Sequence, residues 1–81
     1  MRIDKFLKNS RIIKRRLIAK EACDSGRVEI NDRKVKAGAE VEVGDIVTIR
    51  FGDTNLKIEV LATLEHVTKN DADEMYRVVE D

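Results

Sequence analysis

Arg15-Arg16-Leu17-Ile18-Ala19-Lys20-Glu21-Ala22-Cys23-Asp24-Ser25-Gly26-Arg27-Val28-Glu29-Ile30-Asn31-Asp32 changes its period once, at Gly26. Before that glycine, Leu17, Ile18, Ala19, Ala22 and Cys23 fall on one arc at helical spacing, which predicts a helix over about residues 14–25. Gly26 suits the position just past a helix C-terminus, where a left-handed residue is wanted. Beyond it Val28 and Ile30 alternate with Arg27 and Glu29, the pattern of a strand, and Asn31-Asp32 supplies a turn before Val35. Asn accepts the left-handed conformation of a tight turn; Asp does so less readily than Gly.

Upstream, Ile3, Phe6, Leu7 and Ser10 repeat at helical spacing with Arg2, Lys5 and Asn9 opposite them, so residues 2–9 read as a first helix. Downstream, Val41-Glu42-Val43 precedes a Gly44-Asp45 turn and a strand from Ile46 to Phe51. Gly52-Asp53-Thr54-Asn55 then turns the chain into a strand from Leu56 to Leu61. Lys69 to Glu74 reads as a short capped helix with Asn70 or Asp71 as N-cap. Met75 to Val79 continues it or returns as an edge strand, and Tyr76 and Val78 favour the strand. The fold class is α+β: two N-terminal helices packed on a small, mainly antiparallel sheet, with a short C-terminal extension. No linker, repeat or low-complexity tract divides the chain, so residues 1–81 are expected to form a single domain, with a core of about 1–51 and further strands and the extension over 52–81.

A chain of 81 residues buries only about 60% of its unfolded surface. Its core is thin, and Phe6 and Phe51 are both expected to be needed in it. One cysteine and one histidine exclude an internal disulfide framework and a zinc site of this chain's own. No secretory h-region opens the sequence, and nothing in it approaches the roughly 20 apolar residues of a membrane span. The expectation is a soluble, cytoplasmic protein without membrane association.

Net charge is zero, but it is segregated: residues 1–36 carry twelve Lys/Arg against five Asp/Glu, and residues 37–81 carry four against eleven. The halves are therefore +7 and −7, an asymmetry that signals a nucleic-acid or acidic partner. The run Arg11, Lys14, Arg15, Arg16 and Lys20 leads, with Arg2 and Lys5 on the first helix, Arg27 beyond the second, and Arg33, Lys34 and Lys36 in the hairpin region. Arginine offers planar donors to phosphate and lysine a mobile point charge. A solvated helix face is the plain alternative; clustering over two helices and a hairpin weighs against it.

Catalytic readings are weak. Asp4 suits a first helical turn, Asp24 and Asp45 flank turns, His66 is a lone histidine in a polar stretch, and Cys23 lies on an apolar arc. There is no phosphate-cradling glycine loop, metal-ligand cluster or cofactor motif. Few aromatics lie among the basic residues, so structured RNA read through shape and phosphates fits better than base stacking.

Three stretches resemble the small RNA-binding domain named after a small-subunit ribosomal protein, the S-four domain. They are Arg2-Ile3-Asp4-Lys5-Phe6-Leu7, then Arg15-Arg16-Leu17-Ile18-Ala19 through Gly26-Arg27-Val28-Glu29-Ile30-Asn31, then Val43-Gly44-Asp45-Ile46-Val47. Asp32 departs from the glycine usual there, which leaves the turn type open but not the fold. Pseudouridine synthases and tyrosyl-tRNA synthetases carry the same domain, but nothing here resembles their catalytic parts. A ribosome-associated heat-shock relative adds a long basic tail, whereas this sequence ends Glu80-Asp81.

Over nearly its whole length the chain resembles free-standing bacterial members that act in ribosome-associated quality control. The resemblance implies a non-enzymatic factor, without cofactor or metal and with no DNA partner. It implies binding to large ribosomal subunits obstructed by peptidyl-tRNA, contact with large-subunit ribosomal RNA and P-site peptidyl-tRNA, and cooperation with RqcH while alanine is added to the stalled chain. By motif, Arg2, Lys5, Arg15 and Arg16 are the first RNA contacts, supported by Lys20 and Arg27, with Arg11, Lys14 and Lys34 on the same basic half. Alternatives are a general RNA chaperone in ribosome assembly and a module that binds an acidic protein.

Overall fold

The computed structural model describes residues 1–79. Helix α1 spans Ile3–Asn9 and α2 spans Arg16–Asp24. Strands β1 (Val28–Ile30), β2 (Arg33–Lys34), β3 (Ile46–Phe51) and β4 (Thr54–Val60) follow, then a short helix α3 (Lys69–Ala72) and strand β5 (Tyr76–Val78). All strand pairs are antiparallel, and the sheet order is β2-β1-β3-β4-β5. The segment from Met75 thus returns as the edge strand that Tyr76 and Val78 favour.

Alternation along the strands sends Val28, Val47, Ile49, Ile58 and Val60 into the core, where they meet Ile3, Phe6 and Leu7 of α1. The other sheet face is polar. There Arg50 donates from Nε and Nη2 to Glu29 Oε2 at 2.9 and 2.6 Å, so the nearly buried Glu29 is paired. The β2–β3 connection crosses the start of α1: Ile3 and Asp4 amides donate to the Ala39 and Ala37 carbonyls, and Val41 N–H donates to Met1. Two of the amides that a helix start leaves unbonded are satisfied in this way.

The β1–β2 hairpin pairs Ile30 with Arg33 across two residues, Asn31 at φ 51° and Asp32 at φ 68°. Positive φ at both central positions is the type I′ turn, so aspartate occupies the place glycine fills most easily. Asn31 is pinned as well, its Oδ1 accepting from Ile46 N–H at 3.0 Å and its Nδ2 donating to Asp45 at 3.2 Å.

Three expectations are corrected. Leu17 and Ile18 are not part of the buried arc of α2; they are 67% and 48% exposed, and only Ala19 and Cys23 are fully buried. Two small side chains one turn apart suffice to seat a short helix on the core. Phe51 is 44% exposed, because burial fades along β3 and β4 toward their hairpin, beyond the layer that the two short helices cover. The N-cap of α3 is Thr68, whose hydroxyl accepts from Asp71 N–H while the Asp71 carboxylate accepts from Thr68 N–H, a reciprocal box.

Candidate nucleic-acid interface

Asp4 lies in the first turn of α1 with its side chain only 3% exposed. Its Oδ1 accepts from Lys5 N–H at 2.8 Å and from Arg2 Nε at 3.2 Å. Its Oδ2 accepts from Arg2 Nη2 at 3.2 Å, and Arg16 Nε lies 3.6 Å from the same oxygen. One buried carboxylate therefore ties an arginine before α1 to an arginine opening α2. Both guanidinium side chains stay half-exposed, and a guanidinium has five N–H donors; Arg2 commits two here. With Leu17 and Lys20 they line a shallow depression of about 360 Å³.

The start of α2 breaks the usual rules of helix capping. Its N-cap is Arg15, which makes no capping side-chain bond, and no acid lies in the first turn. Lys14, Arg15 and Arg16 instead crowd the positive end of the helix dipole, where anions are the stabilising partners. The first amide to find a carbonyl is that of Ala19, on Arg15. The carboxylate that does approach this end comes from the first helix, Asp4 Oδ2 lying 3.6 Å from Arg16 Nε.

A second hollow, of about 670 Å³, lies at the other end of α1 and is lined by Lys8, Asn9, Arg11, Lys14, Glu65, His66 and Val67. Arg11 has φ 63°, a left-handed conformation that costs a non-glycine residue about 1–2 kcal/mol. Lys5 turns away from the first depression and pairs with Glu65, holding that exposed carboxyl below the usual carboxylate range through a hydrogen bond and its charge.

The basic residues named from sequence thus fall in separate places. Arg2, Arg16 and Lys20 share the depression beside Leu17; Arg11 and Lys14 share the hollow; Arg15, at the N-cap of α2, lines neither. Arg27 and Lys34 lie beyond the other end of α2, in neither cluster. Lys8, Arg11, Lys14, Arg15, Lys20, Arg27 and Lys34 have no carboxylate within ion-pair distance among the described residues.

The sequence reading missed the anchoring role of Asp4 and the membership of Lys8 and His66. Asp4 had a signal, a carboxylate two residues from Arg2 in a basic segment, which the helix-dipole account absorbed. Cys23 is fully buried, and burial pushes its thiol up to about 11, with Asp4 and Asp24 adding to the shift. It is unsuited to nucleophilic work. Among the described residues no acidic, histidine or cysteine cluster could hold a metal, and no helix is long and apolar enough to cross a membrane.

The S4 domain family model matches residues 1–47. An RQC P-site tRNA stabilizing factor from Halalkalibacterium halodurans is 47% identical over 78 residues, 96% of this chain and 89% of that protein. The protein so named from Bacillus subtilis is 43% identical over 81 residues, 100% of this chain and 94% of its own. The trimeric structure of Vibrio cholerae Heat Shock Protein 15 superposes with a TM-score of 0.90 at 28% identity, covering 98% of this chain and 81% of that one. With the fold, the order of the motifs and these likenesses in agreement, the chain belongs to the S4-domain family and, within it, to the RQC P-site tRNA stabilizing factors.

Proposed function

We propose that this protein is a non-enzymatic RNA-binding factor of bacterial ribosome-associated quality control, with residues 1–81 acting as one RNA-binding domain in the cytoplasm. It binds large ribosomal subunits obstructed by peptidyl-tRNA, touches both large-subunit ribosomal RNA and the P-site tRNA, and supports RqcH-dependent alanine tailing. The observation that carries the RNA reading is the joining of Arg2 and Arg16 through buried Asp4, beside a basic helix start with no capping side chain and no acid in its own first turn. The names of the relatives support the assignment to P-site tRNA. Arg2, Arg15, Arg16 and Lys20 form the main phosphate-binding edge. Lys5 is a weaker candidate than its position in the motif implied, since Glu65 already holds it.

Co-sedimentation with large subunits across a salt series tests this. Arg16→Ala should weaken binding to subunits carrying peptidyl-tRNA and flatten the log–log salt dependence by about 0.7–0.9 per lost phosphate contact. Unchanged binding and slope in a folded variant would refute the assignment. Enrichment on immature subunit precursors would favour an assembly chaperone, and partners that survive nuclease treatment would favour an acidic protein.

A further inference from the structure

We infer that Lys8, Arg11, Lys14 and His66 form a second phosphate-binding site for RNA, separate from the Arg2–Arg16 edge and built partly by the acidic half of the chain. The inference rests on the RNA-binding reading and adds a site to it. The hollow and the Arg2–Arg16 depression have no lining residue in common. They lie at opposite ends of a seven-residue helix, about 10 Å long, so two phosphates can be held at once.

Charge decides what the hollow takes. Lys8, Arg11 and Lys14 converge on it without a carboxylate partner among the described residues. Its one acidic lining residue, Glu65, is engaged by Lys5. Three cations round one void repel each other until an anion enters. Their reach and the size of the hollow suit a phosphodiester backbone, with His66 adding an imidazole N–H donor.

The site is also held in shape. Asn9 Nδ2 donates to the Leu64 carbonyl at 2.9 Å and the Glu65 carbonyl at 3.4 Å, fixing the segment that carries His66 against α1. Arg11 occupies a left-handed position that glycine would fill without steric cost. An arginine there places a guanidinium at the hollow's rim.

The test is fluorescence titration of a labelled tRNA with full-length protein over 50–200 mM salt. The variants are Lys8→Ala, His66→Ala and Arg16→Ala, with Arg77→Ala as a control that removes the same charge from β5. Lys8 and His66 are exposed, so both variants should fold, and thermal melts check that they do. Lys8→Ala should weaken binding about threefold and flatten the slope by about 0.7–0.9, Arg77→Ala should leave the slope unchanged, and Lys8→Ala with Arg16→Ala should add. His66→Ala should weaken binding with little change in slope. A Lys8→Ala titration matching Arg77→Ala overturns the second site while Arg16→Ala still shows the first. If Arg16→Ala matches Arg77→Ala as well, the RNA reading itself falls.

Discussion

Arg2 grips both oxygens of Asp4, Nε on Oδ1 and Nη2 on Oδ2, each at 3.2 Å. Arg16 approaches the same carboxylate from the second helix. Asp4→Asn separates two accounts of this arrangement. By net charge alone, losing an anion beside two arginines should tighten RNA binding. By positioning, the guanidinium groups lose their anchor and pay more entropy to dock. We expect affinity to fall several-fold with little change in salt slope, together with a stability loss of about 1–3 kcal/mol from the weakened buried network. Tighter binding by Asp4→Asn in the tRNA titration would show that Asp4 does not position the pair.

Asp32 at φ 68° stands in a turn that favours glycine at its second central position. Asp32→Gly removes that strain but gains unfolded-state entropy, worth about 0.4–1 kcal/mol in the other direction. Strain relief of about 1–2 kcal/mol for a left-handed L-residue wins. The variant should therefore melt a few degrees higher, on the scale of about 4–8 °C per kcal/mol for a domain of this size. Calorimetry checks it, with Asp32→Val, β-branched and intolerant of positive φ, falling on the other side of wild type.

What was legible in the sequence was what local patterning controls. The change of period at Gly26 gives helix, then strand, then hairpin, because side-chain spacing alone separates 3.6 from 2. Element ends moved by one or two residues, which depends on capping atoms. The exposure of Leu17 and Phe51 was not legible: it depends on how far two short helices extend over the sheet, a tertiary fact. The site was half legible. Its cations could be read from the sequence, but their division into two clusters depends on Lys5 turning to Glu65, sixty residues away, which no local pattern carries.

Cys23 keeps its proton in the folded state up to about pH 11, whereas a free thiol loses it near 9.0. Between those values the unfolded chain binds fewer protons than the folded one, so stability must fall as pH rises. The full effect is about 2–3 kcal/mol and is absent below pH 8. Cys23→Ala should cost some packing at neutral pH yet lose less stability between pH 9 and 11 than the wild type does. Urea melts at pH 8 and 10.5 measure the difference; parallel losses in the two proteins would place the pH sensitivity in other groups.

Phe6 and Phe51 are the only phenylalanines, and they bear different loads. Phe6 is fully buried between α1 and the sheet, while Phe51 ends β3 beside the Gly52-Asp53 turn with 44% of its surface exposed. Phe6→Ala empties a site that cannot refill and should cost about 3–5 kcal/mol, a large share of the stability of so small a domain. Phe51→Ala removes a ring with close to half its surface already in water and should cost about 1 kcal/mol. Denaturant midpoints measure both, and the m-value guards against a shifted unfolded state. A Phe51→Ala loss as large as that of Phe6→Ala would mean that the far end of β3 packs against the core after all.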